Sequence, residues 1–334
     1  MNTGFRMRPG CVGKRREVRK EKSERNKMMG KVFITAAITG SIHTPSMSEC
    51  LPITPDEIAE DATRAYEAGA ALVHVHARIP ETGQPVSDVG LFEEICGKIK
   101  KRCPVVIIPT TGGGLGMTVE ERVAMVPKLK PEMATFNMGS YHVGIFKMTE
   151  KMGGYKYDWE ENYINWTSDW VFQNTFKSLK VYAEAFLAND VKPECEIYDV
   201  SMLNHVAWLL NEGLLKKPPH LQFVMGLFGG MPATIDNVVF LYNTAVRQLG
   251  EFTWSVAAAG RDQIRLCTVA MCMGGHARVG LEDSLYAGKG RKATCSADQV
   301  EMVVRIAREL SLDVGSPEEA RKAYGLKGLD KTNF

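Results

Sequence analysis

His74-Val75-His76 sets two imidazoles two residues apart inside the apolar run Leu72–Ala77. In an extended strand, residues i and i+2 point to one face, so both rings are expected to project together. Arg278-Val279-Gly280-Leu281-Glu282-Asp283 has the same period. As a strand it would put Arg278, Gly280 and Glu282 on one face, with Asp283 just beyond. Two imidazoles and one carboxylate make the donor set of a catalytic divalent metal, zinc (Zn2+) first, with coordination positions left open. His74, His76 and Glu282 are the candidate ligands, with Arg278 a neighbouring cation and Asp283 a spare carboxylate. The plainer alternative is a pair of hydrogen-bonded core histidines. The metal prevails only if a fold brings residues about 200 positions apart together.

Composition is that of a soluble globular protein. The chain has 334 residues, 45% of them hydrophobic and 24% charged, enough for one large domain or two modest ones. No apolar run approaches the roughly 20 residues that span a bilayer. The formal charge of +2 hides an asymmetry. Residues 1–30 hold ten Lys/Arg against three Asp/Glu, and the remainder holds 31 against 36, a net −5. That body gives no electrostatic reason to expect nucleic acid. The basic leader lacks the apolar core of a signal peptide and is expected to be a disordered tail, or an over-long start before Met28 or Met29. The eight cysteines form no Cys-x-x-Cys pair, and without an export signal they point to reduced thiols in the cytoplasm.

From residue 31 to 334 the chain is expected to be one (β/α)8 TIM barrel, an α/β fold. Strands are predicted over Val32–Thr39, Leu72–Arg78, Val105–Thr111, Met133–Gly139, Glu194–Asp199, Leu221–Leu227, Phe252–Ala258 and Ala277–Glu282. Helices are predicted over Thr54–Ala68, Asp88–Lys101, Thr118–Leu129, Ser168–Ala188, Ser201–Glu212, Thr234–Gln248, Asp262–Cys272 and Ser296–Glu309. Thr54 and Thr118 precede acidic first turns, a helix-start signal. Such a barrel takes about 250 residues; an open doubly wound sheet is the structural alternative. In a barrel the site lies at the carboxyl ends of the strands, where His74, His76, Thr110, Thr111, Thr135, Asn137, Glu196, Tyr198, Glu282 and Asp283 all fall. Closure puts strands 8 and 2 on either side of strand 1, which lets Glu282 meet the histidines. Two glycine-rich stretches, Thr110–Gly116 and Gly226–Pro232, could offer backbone amides to an anion: a substrate carboxylate at the first, a phosphate or thioester arm at the second. The segment Tyr141–Trp170, rich in aromatics, is expected to be an insertion serving as lid or subunit contact, or as a wall facing substrate.

These residues resemble the β-keto acid cleavage enzymes, which include 3-keto-5-aminohexanoate cleavage enzyme. The resemblance rests on Ile34–Gly40, Leu51–Glu57, His74–Arg78, Thr111-Gly112-Gly113, Lys130–Asn137, Gly229-Gly230-Met231 and, most specifically, Gly274–Asp283. It implies a zinc-dependent, homo-oligomeric (β/α)8 barrel, a tetramer by preference. It also implies a reaction in which a β-keto acid and acetyl-CoA give acetoacetate and a new acyl-CoA. Carried over, His74, His76 and Glu282 bind zinc; Asp283, Arg278 and Thr110 activate the keto acid; Thr111, Gly112, Gly113, Thr135 and Asn137 surround its carboxylate. Thr110 stands where the characterised enzyme has serine, so the hydroxyl survives. Ile42 stands where the aminohexanoate enzyme has a glutamate that, with the one matching Glu196, faces a distal ammonium. One of those two carboxylates is missing here.

The chemistry follows from the groups. A β-keto acid offers a carboxylate and a ketone oxygen to one metal, and a Lewis acid stabilises the enolate left when the C2 proton departs. Asp283 is the candidate base, oriented by Arg278. The C2 carbanion attacks the acetyl thioester, and the released thiolate cleaves the adduct at the original ketone. A metal-dependent aldolase or decarboxylase using the same enolate without CoA is the alternative.

Overall fold

The computed structural model describes residues 30–334; the expected leader therefore lies outside the described residues, apart from Gly30. Eight parallel strands form the frame: β1 Ile34–Ala37, β2 Leu72–Val75, β3 Val106–Pro109, β4 Met133–Asn137, β5 Lys192–Ile197, β6 His220–Met225, β7 Thr253–Ala258 and β8 His276–Val279. Nearly every residue in them is buried, because helices cover the outer face and side chains fill the inner one. The hydrogen-bonded order is β3-β2-β1-β8-β7-β6-β5-β4. Thus β8 and β2 do flank β1, with Arg278 opposite Thr35 and His74 opposite Ala37.

The ring closes where β3 and β4 lie side by side without a backbone ladder. Threonines stitch that seam instead. The Thr111 amide donates to Thr135 Oγ1 at 3.1 Å, and Thr111 Oγ1 donates to the Thr135 carbonyl at 2.7 Å.

Helix starts follow the sequence signals. Thr54 and Glu57 form a reciprocal capping box ahead of α1 (Pro55–Glu67), with Pro55 in the first turn. Asp88 caps α2 (Val89–Arg102). The helix predicted over Thr118–Leu129 is instead two short ones, α3 (Val119–Val123) and α4 (Met125–Leu129). Pro127 explains the break: it offers no amide to the carbonyl of Val123, and its ring crowds that residue. The helix predicted from Ser168 starts only at Phe176, where Thr175 caps α6 (Phe176–Ala188). Before it, Val171–Phe172 pairs antiparallel with Tyr141–His142, closing the insertion into a loop that carries α5 (Trp159–Trp166). Further round the barrel come α7 (Met202–Asn211), α8 (Ile235–Leu249), α9 (Gln263–Cys272) and α10 (Ala297–Glu309). A helix not expected from the sequence, α11 (Pro317–Tyr324), covers the barrel floor. Tyr324 packs there with Phe33 and Leu72, and Arg321 pairs with Glu132 at 2.8 Å. Among the described residues no helix is long and apolar enough to cross a membrane.

Candidate active site

His74 Nδ1 lies 3.0 Å from the Ile108 carbonyl. A carbonyl only accepts, so Nδ1 carries the proton and the Nε2 lone pair points into the barrel mouth. His74 Nε2 is 3.3 Å from Glu282 Oε2, and His76 Nε2 is 3.5 Å from Glu282 Oε1. The three donor atoms lie within 4.8 Å of one another.

The routes by which they meet differ from the sequence expectation. The chain leaves β2 after Val75, and Ala77–Arg78 pairs with Pro85–Val86 outside the barrel. His76 sits in that break, and its ring stands at 86° to that of His74 rather than parallel on a shared strand face. Glu282 is not on a strand either. β8 ends at Val279, and the amides of Asp283 and Ser284 both donate to the Gly280 carbonyl, at 3.2 and 3.1 Å. Gly280 has φ 149°, and a Cβ there would lie 2.0 Å from the Ala37 carbonyl oxygen. Only glycine lets the chain turn so close against β1 and return Glu282 over Arg278.

The donor set fits a divalent metal. Separations of 3.3 and 3.5 Å are long for charge-assisted hydrogen bonds, which run about 2.7–2.9 Å. They match the ligand–ligand edges of a tetrahedron with bonds of about 2.0–2.1 Å. Glu282 Oε2 is buried and has no hydrogen-bond partner, a costly arrangement unless a cation meets it. Burial opposes ionisation of Glu282, but the Arg278 guanidinium outweighs it and holds the carboxyl well below its usual range. Burial pushes His76 down to about 4, so the ring is neutral at neutral pH and one nitrogen keeps a free lone pair.

Gly40 makes room for this carboxylate. A Cβ at Gly40 would lie 2.3 Å from Glu282 Cγ. Gly40→Ala is therefore expected to displace Glu282 and to lower bound metal well below one per chain, with the circular dichroism spectrum retained. Full metal content in that variant would contradict the geometry.

Arg278 organises the next layer. Its Nε and Nη2 reach Asp283 Oδ2 and Oδ1 at 2.9 and 3.0 Å, and Nη2 also reaches Glu282 Oε1 at 2.6 Å. Nη1 donates to Gln222 Oε1 at 2.9 Å and lies 3.4 Å from Glu196 Oε1. The fork locks Asp283 in one orientation. Burial raises the Asp283 pKa in spite of Arg278.

Thr110, Gly112, Gly113, Asn137, Glu196 and Ile42 line a cavity of about 720 Å3 that is also lined by His74, His76, Glu282, Arg278 and Asp283. Thr110 Oγ1 accepts the Gly112 amide at 2.9 Å. Thr111 and Thr135 do not line this cavity; they hydrogen-bond to each other across the β3–β4 seam. Glu196 is not a free anion awaiting an ammonium: Oε2 accepts from Asn137 Nδ2 and, at 3.0 Å, from the Tyr198 hydroxyl. Burial, only partly offset by Arg278, pushes its pKa to about 7. Ile42 joins the apolar cluster of the insertion, with Val143, Ile145 and Tyr163. Tyr141, Val143, Ile145, Met148 and Trp170 face the cavity, so the insertion supplies one of its walls.

Sequence reasoning missed Gln222 and Arg78. Arg78 is fully buried, and its guanidinium donates to the carbonyls of Thr39, Gly40, His43 and Gly83 at 2.7–3.0 Å. It fixes the loop that carries Gly40 and Ile42. The strand period gave no signal for it, because Arg78 lies beyond the break after Val75 and reaches back to the loop that follows β1.

The beta-keto acid cleavage enzyme family model matches residues 31–326. This chain belongs to that family. The β-keto acid cleavage enzyme described here is 43% identical to a Paraburkholderia graminis protein named 3,5-dioxohexanoate:acetyl-CoA acetone transferase, across 91% of this chain and 98% of that one. It is 36% identical to the 3-keto-5-aminohexanoate cleavage enzyme of Fusobacterium nucleatum, across 90% of this chain and all of that one. A solved ternary complex of ObcA with a C4-CoA adduct and oxalate superposes with a TM-score of 0.64 at 21% identity, over 84% of this chain and 68% of that one, which is agreement in fold.

Proposed function

We propose that this enzyme condenses a β-keto acid with acetyl-CoA, giving acetoacetate and a new acyl-CoA, with zinc held by His74, His76 and Glu282. When bound, zinc supplies a Lewis acid that draws electron density from the substrate oxygens. Asp283 takes the C2 proton. Arg278 keeps Asp283 oriented and sets a permanent cation beside the developing enolate. Thr110, already accepting from Gly112, keeps its hydroxyl proton for a substrate oxygen. Asn137 and the Gly112–Gly113 turn border the carboxylate, with Thr111 and Thr135 holding that turn in place. The C2 carbanion attacks the acetyl carbonyl and CoA leaves as the thiolate. The thiolate then attacks the original ketone, the C2–C3 bond breaks, and Asp283 returns the proton to acetoacetate. The two-pronged Arg278–Asp283 pair beside the ligand trio carries this mechanism. Screening β-keto acids with acetyl-CoA for acetoacetate tests it: formation that depends on both substrates supports it, and keto-acid consumption without CoA favours the decarboxylase or aldolase.

The substrate side chain is proposed to be neutral. Ile42 faces the cavity, and Glu196 is already engaged by Asn137, Tyr198 and Arg278. A primary ammonium there would lose several kcal/mol of hydration with few partners. The dioxohexanoate relative, named for a substrate whose distal group is an uncharged ketone, supports this choice. We expect kcat/KM for 3,5-dioxohexanoate to exceed that for 3-keto-5-aminohexanoate at least tenfold, with dehydrocarnitine between them because a quaternary ammonium needs no hydrogen-bond acceptor. A tenfold preference for the primary amine would contradict the role given to Ile42.

Ile235, Phe240 and Val246 on α8 are exposed, which supports assembly as a homo-oligomer, a tetramer by family resemblance; a cytoplasmic location is proposed from the absence of an export signal in the sequence. Sedimentation velocity at micromolar concentration should show no monomer boundary.

A further inference from the structure

The catalytic groups occupy the inner end of the cavity, and its outer rim has a different chemistry. Gly226, Leu227 and Phe228 follow β6, Ala259, Gly260 and Arg261 follow β7, and Tyr286 begins a hairpin after β8; all line the cavity. Phe228 and Tyr286 are 57% and 50% exposed and border the same cavity mouth, so two aromatic surfaces are available at one rim. Cations from three separate segments lie at or beside this rim. Arg261 is 91% exposed, its nearest carboxylate, Asp262, being 3.6 Å away and shared with Arg265. Lys147 of the insertion lies 4.2 Å from the centroid of Phe228. Lys289 and Arg291 are exposed on the hairpin formed by Tyr286–Gly288 and Arg291–Lys292, which packs beside Gly260–Asp262. The chain beyond residue 30 carries a net charge of −5, so this concentration of cations runs against the general charge of the body. It marks a place for an anion.

We propose that this rim binds the phosphorylated nucleotide of the acyl carrier: Arg261, Lys289 and Arg291 take its phosphates, and Phe228 and Tyr286 receive the adenine. The proposal rests on the acetyl-CoA reaction above and adds where the carrier enters. The thioester arm descends past Gly226 and Ala259, where glycine and alanine leave a narrow path, toward Asp283 and the ligand trio. The β-keto acid then lies beneath it against the insertion wall, so the keto acid is the first substrate to bind. Arg261, Lys289 and Arg291 touch no reacting atom in this arrangement. Their effect is confined to the affinity for the nucleotide end.

That separation supplies the test. The double variant Arg261→Ala/Arg291→Ala is compared with wild type using acetyl-CoA and using acetyl-pantetheine, which has the same reactive arm without the nucleotide. Both arginines are exposed, so the fold is unaffected. The expected result is a KM for acetyl-CoA raised about tenfold, the combined effect of removing two solvent-exposed charge pairs. The kcat and the KM for the β-keto acid are unchanged, and acetyl-pantetheine kinetics match wild type. In wild type, added salt should raise the KM for acetyl-CoA and leave that for acetyl-pantetheine alone. An unchanged KM for acetyl-CoA, or equal losses with both donors, overturns the nucleotide site while leaving the condensation intact. Wild-type enzyme that makes no acetoacetate from either donor overturns the condensation, and this site with it.

Discussion

Replacing His76 by alanine is expected to remove bound metal and activity together. His76 Nε2 and His74 Nε2 each face one oxygen of Glu282; with His76 gone, two ligands remain, and the Glu282 carboxylate is left with one imidazole. Losing a supporting residue outside the ligand set typically costs 10–100-fold in metal affinity or activity, so losing a ligand should cost more, roughly 10³-fold in kcat. Elemental analysis should fall from about one zinc per chain to a small fraction, with the folded state retained because the apolar core that packs the strands against the helices does not include His76. A variant that keeps its metal and turns over at the wild-type rate would show that His76 is a core histidine and nothing more.

Asp283→Asn isolates the proton transfer from the metal. The amide keeps the shape of the side chain and still accepts one bond from Arg278, but it no longer accepts a proton. The expected loss is about 10²–10⁴-fold in kcat, the range for removing a positioned general base, with metal content and KM for the keto acid nearly unchanged. Exchange of the C2 hydrogen with solvent deuterium, followed without acetyl-CoA, should fall in parallel. Near-normal exchange in this variant would move the base elsewhere.

That His74, His76 and Glu282 would come together was legible in the sequence, and the local geometry was not. Residue type and β-branched runs marked the strands, and closure of eight strands put β8 and β2 beside β1. The period-two argument failed at both ends. His76 lies past the end of β2, and Glu282 lies in a turn that Gly280 makes possible. A strand and a strand end carry the same residue pattern; what separates them is a backbone approach to β1 that the linear sequence does not display. Gly40 escaped notice for the same reason, since its role is the space it leaves for Glu282. Thr111 and Thr135 carry hydroxyls suited to a carboxylate, and the bonds they make across the β3–β4 seam were not visible in residue type alone. Gln222 sits in a strand that looked wholly apolar in function, and only its partner Arg278 reveals its purpose. The chain after Ser296–Glu309 gave no expectation of α11, although Ser316-Pro317-Glu318-Glu319 has the start signal recognised at Thr54.

The measurement that most directly tests the account follows an isotopically labelled acetyl carbonyl. Enzyme is supplied with an unlabelled β-keto acid and acetyl-CoA labelled at that carbon. If the C2 carbanion attacks the thioester, the label appears in the ketone carbon of acetoacetate, and the new acyl-CoA is unlabelled. Label released as acetate, with the intact keto acid joined to CoA, would mean exchange of CoA between carboxylates without cleavage of the C2–C3 bond, and would contradict the mechanism.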